Sequence, residues 1–168
     1  LTKNKLLSFA SALKKLLDTF QIPLIINDNL ELCLTLNADG LHLGQNDGDI
    51  TIARNLLGPD KIIGLTINTI EQVEHANQLP IDYIGIGSIF PTQHKADVQN
   101  IWGITELSKA VGLSCHPTIA IGGINISNAN EVMRAGVFGI AAIGAFHQTK
   151  NLTETIQKLK KIVEGKPI

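Results

Sequence analysis

The chain has little cysteine, few aromatic residues and no excess of either charge, and each shortage closes off a class of protein. Its two cysteines, Cys33 and Cys115, belong to no CxxC or CxxH pair and cannot build a disulfide framework. They read as small buried hydrophobes in a reducing cytosol. Aromatics make up only 4% of the 168 residues, so the core implied by a hydrophobic fraction of 44% is aliphatic, built from Ile, Leu, Val and Ala. A formal net charge of −1 without a long basic run argues against a nucleic-acid partner. No apolar run reaches membrane-spanning length and no signal peptide is legible, which points to a cytoplasmic protein with no membrane partner. The five histidines show no metal-ligand spacing. A single-domain enzyme acting on small molecules fits what is left.

What the chain does have is glycine, fifteen of them, set between short β-branched runs. Leu6, Ala10, Leu13 and Leu17 recur at i, i+4, i+7 and i+11, the period of an amphipathic helix. Strands are expected at Ile22–Asn27, Gly40–Leu43, Lys61–Thr66, Asp82–Gly87, Pro117–Ile121 and Gly139–Ile143. Helices are expected between them at Leu30–Leu36, Ile50–Leu57, from Thr69 through Leu79, Thr105–Val111 and Ser127–Ala135, with a closing helix at Leu152–Val163. Gly58-Pro59 stops the second of these, and Thr69 with Gln72 forms a capping box for the third.

Strand and helix alternate six times with short connections, which implies parallel strands and right-handed crossovers. No Gly-rich GxGxxG turn follows the first strand, as a dinucleotide-binding sheet would want. Instead Gly122-Gly123 follows the penultimate strand and Gly144 the last, where (β/α)₈ barrels often build a phosphate site. The expected architecture is therefore a single (β/α)₈ TIM barrel over residues 1–168, with its first strand, first helix and second strand absent. The start at Leu1, without Met and inside helix-like sequence, suggests that N-terminal residues precede it.

Twice near the start a strand-like run stops on polar residues that include an acid, Asp28 after Ile26-Asn27 and Asp47 after Gly44-Gln45-Asn46. Strand ends on one face of a parallel fold are where such folds place their chemistry. Two carboxylates there suit Mg²⁺, which takes one or two acids plus substrate phosphates. Equally, Asp28 could cap the next helix, and Asp47 or Asp49 the one after. Lys95, in the polar loop Phe90-Pro-Thr-Gln-His-Lys95, reads as a solvated lysine or as a point charge for phosphate. Gly122-Gly123 reads as a tight turn or as a backbone anion site. His42, between Leu41 and Leu43, reads as a satisfied core residue or one pointing into the barrel.

Taken in order, these motifs resemble the thiamine phosphate synthase family. Its Ile-Asn-Asp strand end is matched by Ile26-Asn27-Asp28, and its Gly-x-His-Leu-Gly-Gln-x-Asp segment by Gly40 to Asp47. Its Gly-x-Gly-x-x-Phe-Pro-Thr-x-Thr-Lys loop is matched by Gly85 to Lys95, and its Ile-Gly-Gly-Ile turn by Ile121 to Ile124. The resemblance implies a Mg²⁺-dependent transferase that joins hydroxymethylpyrimidine diphosphate to a thiazole phosphate, giving thiamine phosphate and pyrophosphate. It implies Asp28 and Asp47 as metal ligands, Asn27 and Lys95 as diphosphate groups, and Thr66 near the pyrimidine. Lys95 and Thr66 would serve catalysis. Thr92, Gln93, His94, Gly123, Ile143 and Gly144 would contact the thiazole phosphate. The chain departs from the family in having His94 for Thr, Gly144 for Ser and Ser88 for a common Pro. The family's Gln-x-Arg-x-Lys segment is expected before residue 1. A thiazole tautomerase-like barrel and a non-catalytic thiamine-phosphate-binding protein are the rival readings.

Overall fold

The computed structural model describes residues 2–92 and 101–165. The chain forms two compact units, residues 1–66 with 79–82 and residues 67–78 with 83–168. Both are α/β, and both pair their strands in parallel.

In the first unit, helix α1 (Lys3–Thr19) turns Leu6, Ala10, Leu13 and Leu17 inward, as their period requires, and packs on α2 (Leu30–Leu36). Strands β1 (Ile25–Asn27), β2 (Gly40–Leu43) and β3 (Ile62–Ile67) lie side by side, Asn27 opposite His42 and Leu43 opposite Leu65. Helix α3 (Ile50–Leu57) stands between the last two in sequence. Leu41, Ala53 and Ile63 are wholly buried, giving the unit its aliphatic centre. The first strand begins later than expected. The Leu24 amide donates to Asp39 Oδ2 (2.8 Å) instead of entering the ladder, so pairing starts at Ile25.

A second aspartate performs the same service for β3. Asp82 Oδ2 accepts the Ile63 amide (2.7 Å) and the Arg54 guanidinium (2.6 Å), while Arg54 also donates to the carbonyls of Pro80, Gly58 and Lys61. Charge-assisted bonds of this kind exceed neutral ones in strength.

In the second unit, β4 (Tyr83–Ile86), β5 (Thr118–Ile121) and β6 (Gly139–Ala141) pair in parallel, Gly85 opposite Ile119 and Ile119 opposite Gly139. Helix α4 (Ile70–Ala76) is capped by Thr69, whose Oγ1 accepts the Gln72 amide (3.3 Å). It ends three residues before the expected Leu79. Asn77 leaves the helix to bridge the next connection, donating to the Leu113 carbonyl (2.9 Å) and accepting from the Cys115 amide (2.8 Å). Helices α5 (Gly103–Leu113), α6 (Ala129–Arg134) and α8 (Leu152–Glu164) follow, α5 extending past the expected span at both ends. Leu107, Ala120, Val132 and Val137 are wholly buried. A helix not expected, α7 (Gly144–His147), follows β6 directly. Cys33 is buried as expected, but Cys115 is exposed, because it sits in the turn that Asn77 holds rather than in a core. Among the described residues no helix is long and apolar enough to cross a membrane.

Replacing Asp82 with Ala leaves the Ile63 amide and the Arg54 guanidinium without their shared acceptor. Urea unfolding is expected to show a loss on the order of 1–2 kcal/mol. Burial also pushes the phenol of Tyr83 from an ordinary 10.0 up to about 12. The folded protein then keeps a proton that the unfolded chain releases. That contribution to stability is present below pH 10.0 and is lost as pH rises through about 12. Tyr83 is the one tyrosine in the chain, so phenolate absorbance during alkaline titration reads it directly. Tyr83→Phe should abolish the phenolate signal and flatten stability across that window.

Candidate active site

At the C-terminal end of β1 the chain passes from Asn27 into Asp28, which holds φ +60°. Non-glycine residues seldom adopt this conformation, and Asp and Asn are the side chains that tolerate it. The bend is fixed by the Asp28 amide, which donates to the His42 carbonyl on β2 (2.8 Å). Asn27 Nδ2 donates to Asp28 Oδ2 (2.6 Å), so the two expected site residues share one hydrogen bond at an exposed strand end. Asp28 does not cap α2. That position belongs to Asn29, whose Oδ1 accepts the Leu32 amide (2.9 Å).

Past β2 the second acid is treated alike. Asp47 Oδ2 accepts the Gly44 amide (2.9 Å) while the Asp47 amide donates to the Gly44 carbonyl (3.3 Å), closing a four-residue turn. The cap of α3 is Asp49, which accepts the Ile52 amide (2.9 Å). Neither Asp28 nor Asp47 is therefore spent on a helix end. Asp28 is tied through its amide to the His42 carbonyl, and Asp47 through its carboxylate and amide to Gly44. Their hard oxygen donors fit Mg²⁺, a cation that completes its shell with water and substrate phosphate. Among the described residues no three His, Cys, Asp or Glu side chains gather into a metal cluster.

Thr66, near the end of β3, is bound at both its polar groups. His42 Nε2 lies 2.8 Å from Thr66 Oγ1, and Gln45 Nε2 donates to the Thr66 carbonyl (2.5 Å). His42 is half-buried, on the opposite face of the strand from Leu41 and Leu43, which are 0% and 2% exposed. The core reading of His42 is thus replaced by one in which it joins the strand-end polar group. The alternation of β2 already separated it from its leucine neighbours, but nothing in the sequence named Thr66 as its partner.

The second unit carries the other expected contacts. After β4, Ser88 is buried and its hydroxyl donates to the Phe90 carbonyl (2.6 Å). The Ile89 and Phe90 amides donate to the carbonyls of Ile121 and Gly122, and the Trp102 and Gly103 amides to those of Ser88 and Ile89. Residues 88–90 thus serve as a rung between the end of β5 and the chain entering α5. Gly122 and Gly123 hold φ +99° and +66°. A Cβ on Gly122 would collide with Ser88, and one on Gly123 would lie 2.6 Å from Phe90 Cβ and 2.8 Å from the Pro91 oxygen. Both glycines are thus demanded by φ and by close packing, whatever binds there. The Gly123 carbonyl accepts from Asn128 Nδ2 (3.0 Å) just before α6. Ile143 and Gly144 open α7, with the Phe146 and His147 amides donating to the Ile143 carbonyl. Thr92 is half-buried at the end of the rung. Gln93, His94 and Lys95 lie outside the described residues. Trp102 is buried, and among the described residues its indole nitrogen meets no hydrogen-bond partner.

Comparison with known proteins bears on the chain as a whole. The family model described as thiamine monophosphate synthase matches residues 1–146. The thiamine-phosphate synthase of Chlamydia abortus is 51% identical over 164 residues, covering 98% of this chain and 77% of that protein. That of Persephonella marina is 40% identical over 164 residues, covering 98% and 78%. Among solved structures, thiamine phosphate pyrophosphorylase from Pyrococcus furiosus superposes with a TM-score of 0.87 at 32% identity, covering 98% of this chain and 79% of that one.

Replacing Gly123 with Ala forces a Cβ against Phe90 and Pro91 at a strained φ. The expected result is a loss on the order of 1–3 kcal/mol in urea unfolding. The same substitution at Gly112, where a Cβ meets nothing within 4 Å, should not reproduce it.

Proposed function

Because the chain belongs to the thiamine monophosphate synthase family, we propose that it joins hydroxymethylpyrimidine diphosphate to a thiazole phosphate, releasing thiamine phosphate and pyrophosphate. The observation that carries the reading is the polar group at the ends of β1, β2 and β3. There Asn29 and Asp49 take the helix caps, Asp28 shares a hydrogen bond with Asn27, Asp47 accepts the Gly44 amide, and the Thr66 hydroxyl meets His42. The reading takes with it a (β/α)₈ barrel whose strands include β1 to β6, supported by the parallel βα repeats of both units.

Asp28 and Asp47 would hold Mg²⁺, which when bound supplies positive charge to the diphosphate. Asn27 and Lys95 hold the diphosphate oxygens, and Thr66 offers its hydroxyl beside the pyrimidine. As the C–O bond to pyrophosphate breaks, negative charge grows on the leaving group. The Lys95 ammonium stabilises that charge more in the transition state than in the ground state. The remaining pyrimidine methyl cation is stabilised by its ring, and the thiazole nitrogen captures it. The second unit holds the thiazole phosphate through Thr92, Gln93, His94, Gly123, Ile143 and Gly144. Catalysis is by position and charge, with no covalent enzyme intermediate.

Asp47→Ala and Lys95→Ala should each lower turnover by about 10²–10³, read as thiamine phosphate formed and pyrophosphate released. The Asp47→Ala protein should stay folded by circular dichroism, because α3 keeps its Asp49 cap. A chelator should stop the reaction and added Mg²⁺ restore it. Near-normal turnover by either variant, or full activity without a divalent cation, sinks the assignment.

A further inference from the structure

We infer that His42 and Gln45 are positioning residues that aim the Thr66 hydroxyl at the pyrimidine diphosphate, an inference that rests on the reaction proposed above. A threonine hydroxyl at a strand end has several rotamers and two hydrogen-bonding roles open to it. Here the imidazole of His42 occupies one direction of Oγ1 at 2.8 Å. Gln45 fixes the residue from the other side, its side-chain amide on the Thr66 carbonyl at 2.5 Å. If the imidazole donates, the hydroxyl proton is left for an acidic oxygen of the diphosphate. If it accepts, the oxygen lone pairs are left for a donor on the pyrimidine. In both cases the hydroxyl is held in one orientation before substrate arrives, which is how a weak donor becomes effective in a transition state.

The fold does not require these two side chains. Leu41 and Leu43, on the other face of β2, carry its burial, while Gln45 is exposed and His42 only half-buried. The backbone of His42 still receives the Asp28 amide whatever side chain stands there. A role in orientation therefore separates from a role in stability.

The test is a double-mutant cycle on the full chain, with the two substrates as probes. His42→Leu and Thr66→Val should each lower kcat by about tenfold, with KM for the thiazole phosphate within about twofold. His42→Gln, which places a nitrogen where Nε2 stands, should recover kcat to within about threefold of the parent. The pair His42→Leu with Thr66→Val should be no worse than Thr66→Val alone, because the imidazole acts through the hydroxyl. Gln45→Ala should show a smaller loss in kcat of about threefold. Independent losses that multiply in the double variant, or a His42→Gln protein as slow as His42→Leu, overturn the inference. A second readout needs no turnover: the Nε2 resonance of His42 in nitrogen NMR should move on Thr66→Val, and an unmoved resonance overturns the pairing itself. A parent protein that forms no thiamine phosphate overturns the proposed reaction instead, leaving the NMR result to judge the pairing.

Discussion

The Asp28 amide on the His42 carbonyl holds the first unit's chemistry together. Across 2.8 Å it ties the residue after β1, held in a left-handed bend, to the backbone of β2. From His42 and the residues just after it the remaining members hang. His42 reaches across to Thr66 on β3, and Gly44, two residues on, takes the Asp47 carboxylate on its amide. A buried aliphatic ladder beneath these ends is what keeps their spacing fixed, since Leu41, Leu43 and Ile63 leave the strands no room to slip. A slip of one residue would send His42 into the core and a leucine to the polar end.

Labour is divided between neighbouring residues. Each proposed metal ligand has a close neighbour in the sequence that takes the helix cap, Asn29 after Asp28 and Asp49 after Asp47. A carboxylate shared between a helix end and a cation would have its charge partly consumed by the helix dipole. Separate caps keep the helix ends off both acids. The starts of the strands show a parallel economy, with Asp39 and Asp82 taking the amides of Leu24 and Ile63.

Much of this was legible in the residues. The ranges of α2, β2 and α3 follow directly from their apolar period and their flanking polar residues, and the Thr69 cap from its motif. Where the sequence misleads, a side chain has intervened over distance. Asp39 removes Leu24 from the first strand, and Asn77 ends α4 early to reach Leu113 and Cys115. The four residues of α7 are too few to show a period at all. At the candidate site, the resemblance pointed to Asn27, Asp28, Asp47 and Thr66, but the partnership of His42 and Gln45 with Thr66 spans more than twenty residues and has no local signature. Gly122-Gly123 was legible as a turn; its pressure against Ser88 and Phe90 was not.

Trp102 gives the second unit an optical property of its own. It is the one tryptophan in the chain, buried, with its backbone tied to Ser88. A buried indole emits towards the blue end of its range, and no other tryptophan dilutes the signal. Its emission therefore reports on the second unit, where its backbone is bonded to Ser88. The unit containing Asn27, Asp28, Asp47 and Thr66 is dark. The protein thus carries a built-in spectroscopic separation between its two sets of strand ends, without any label.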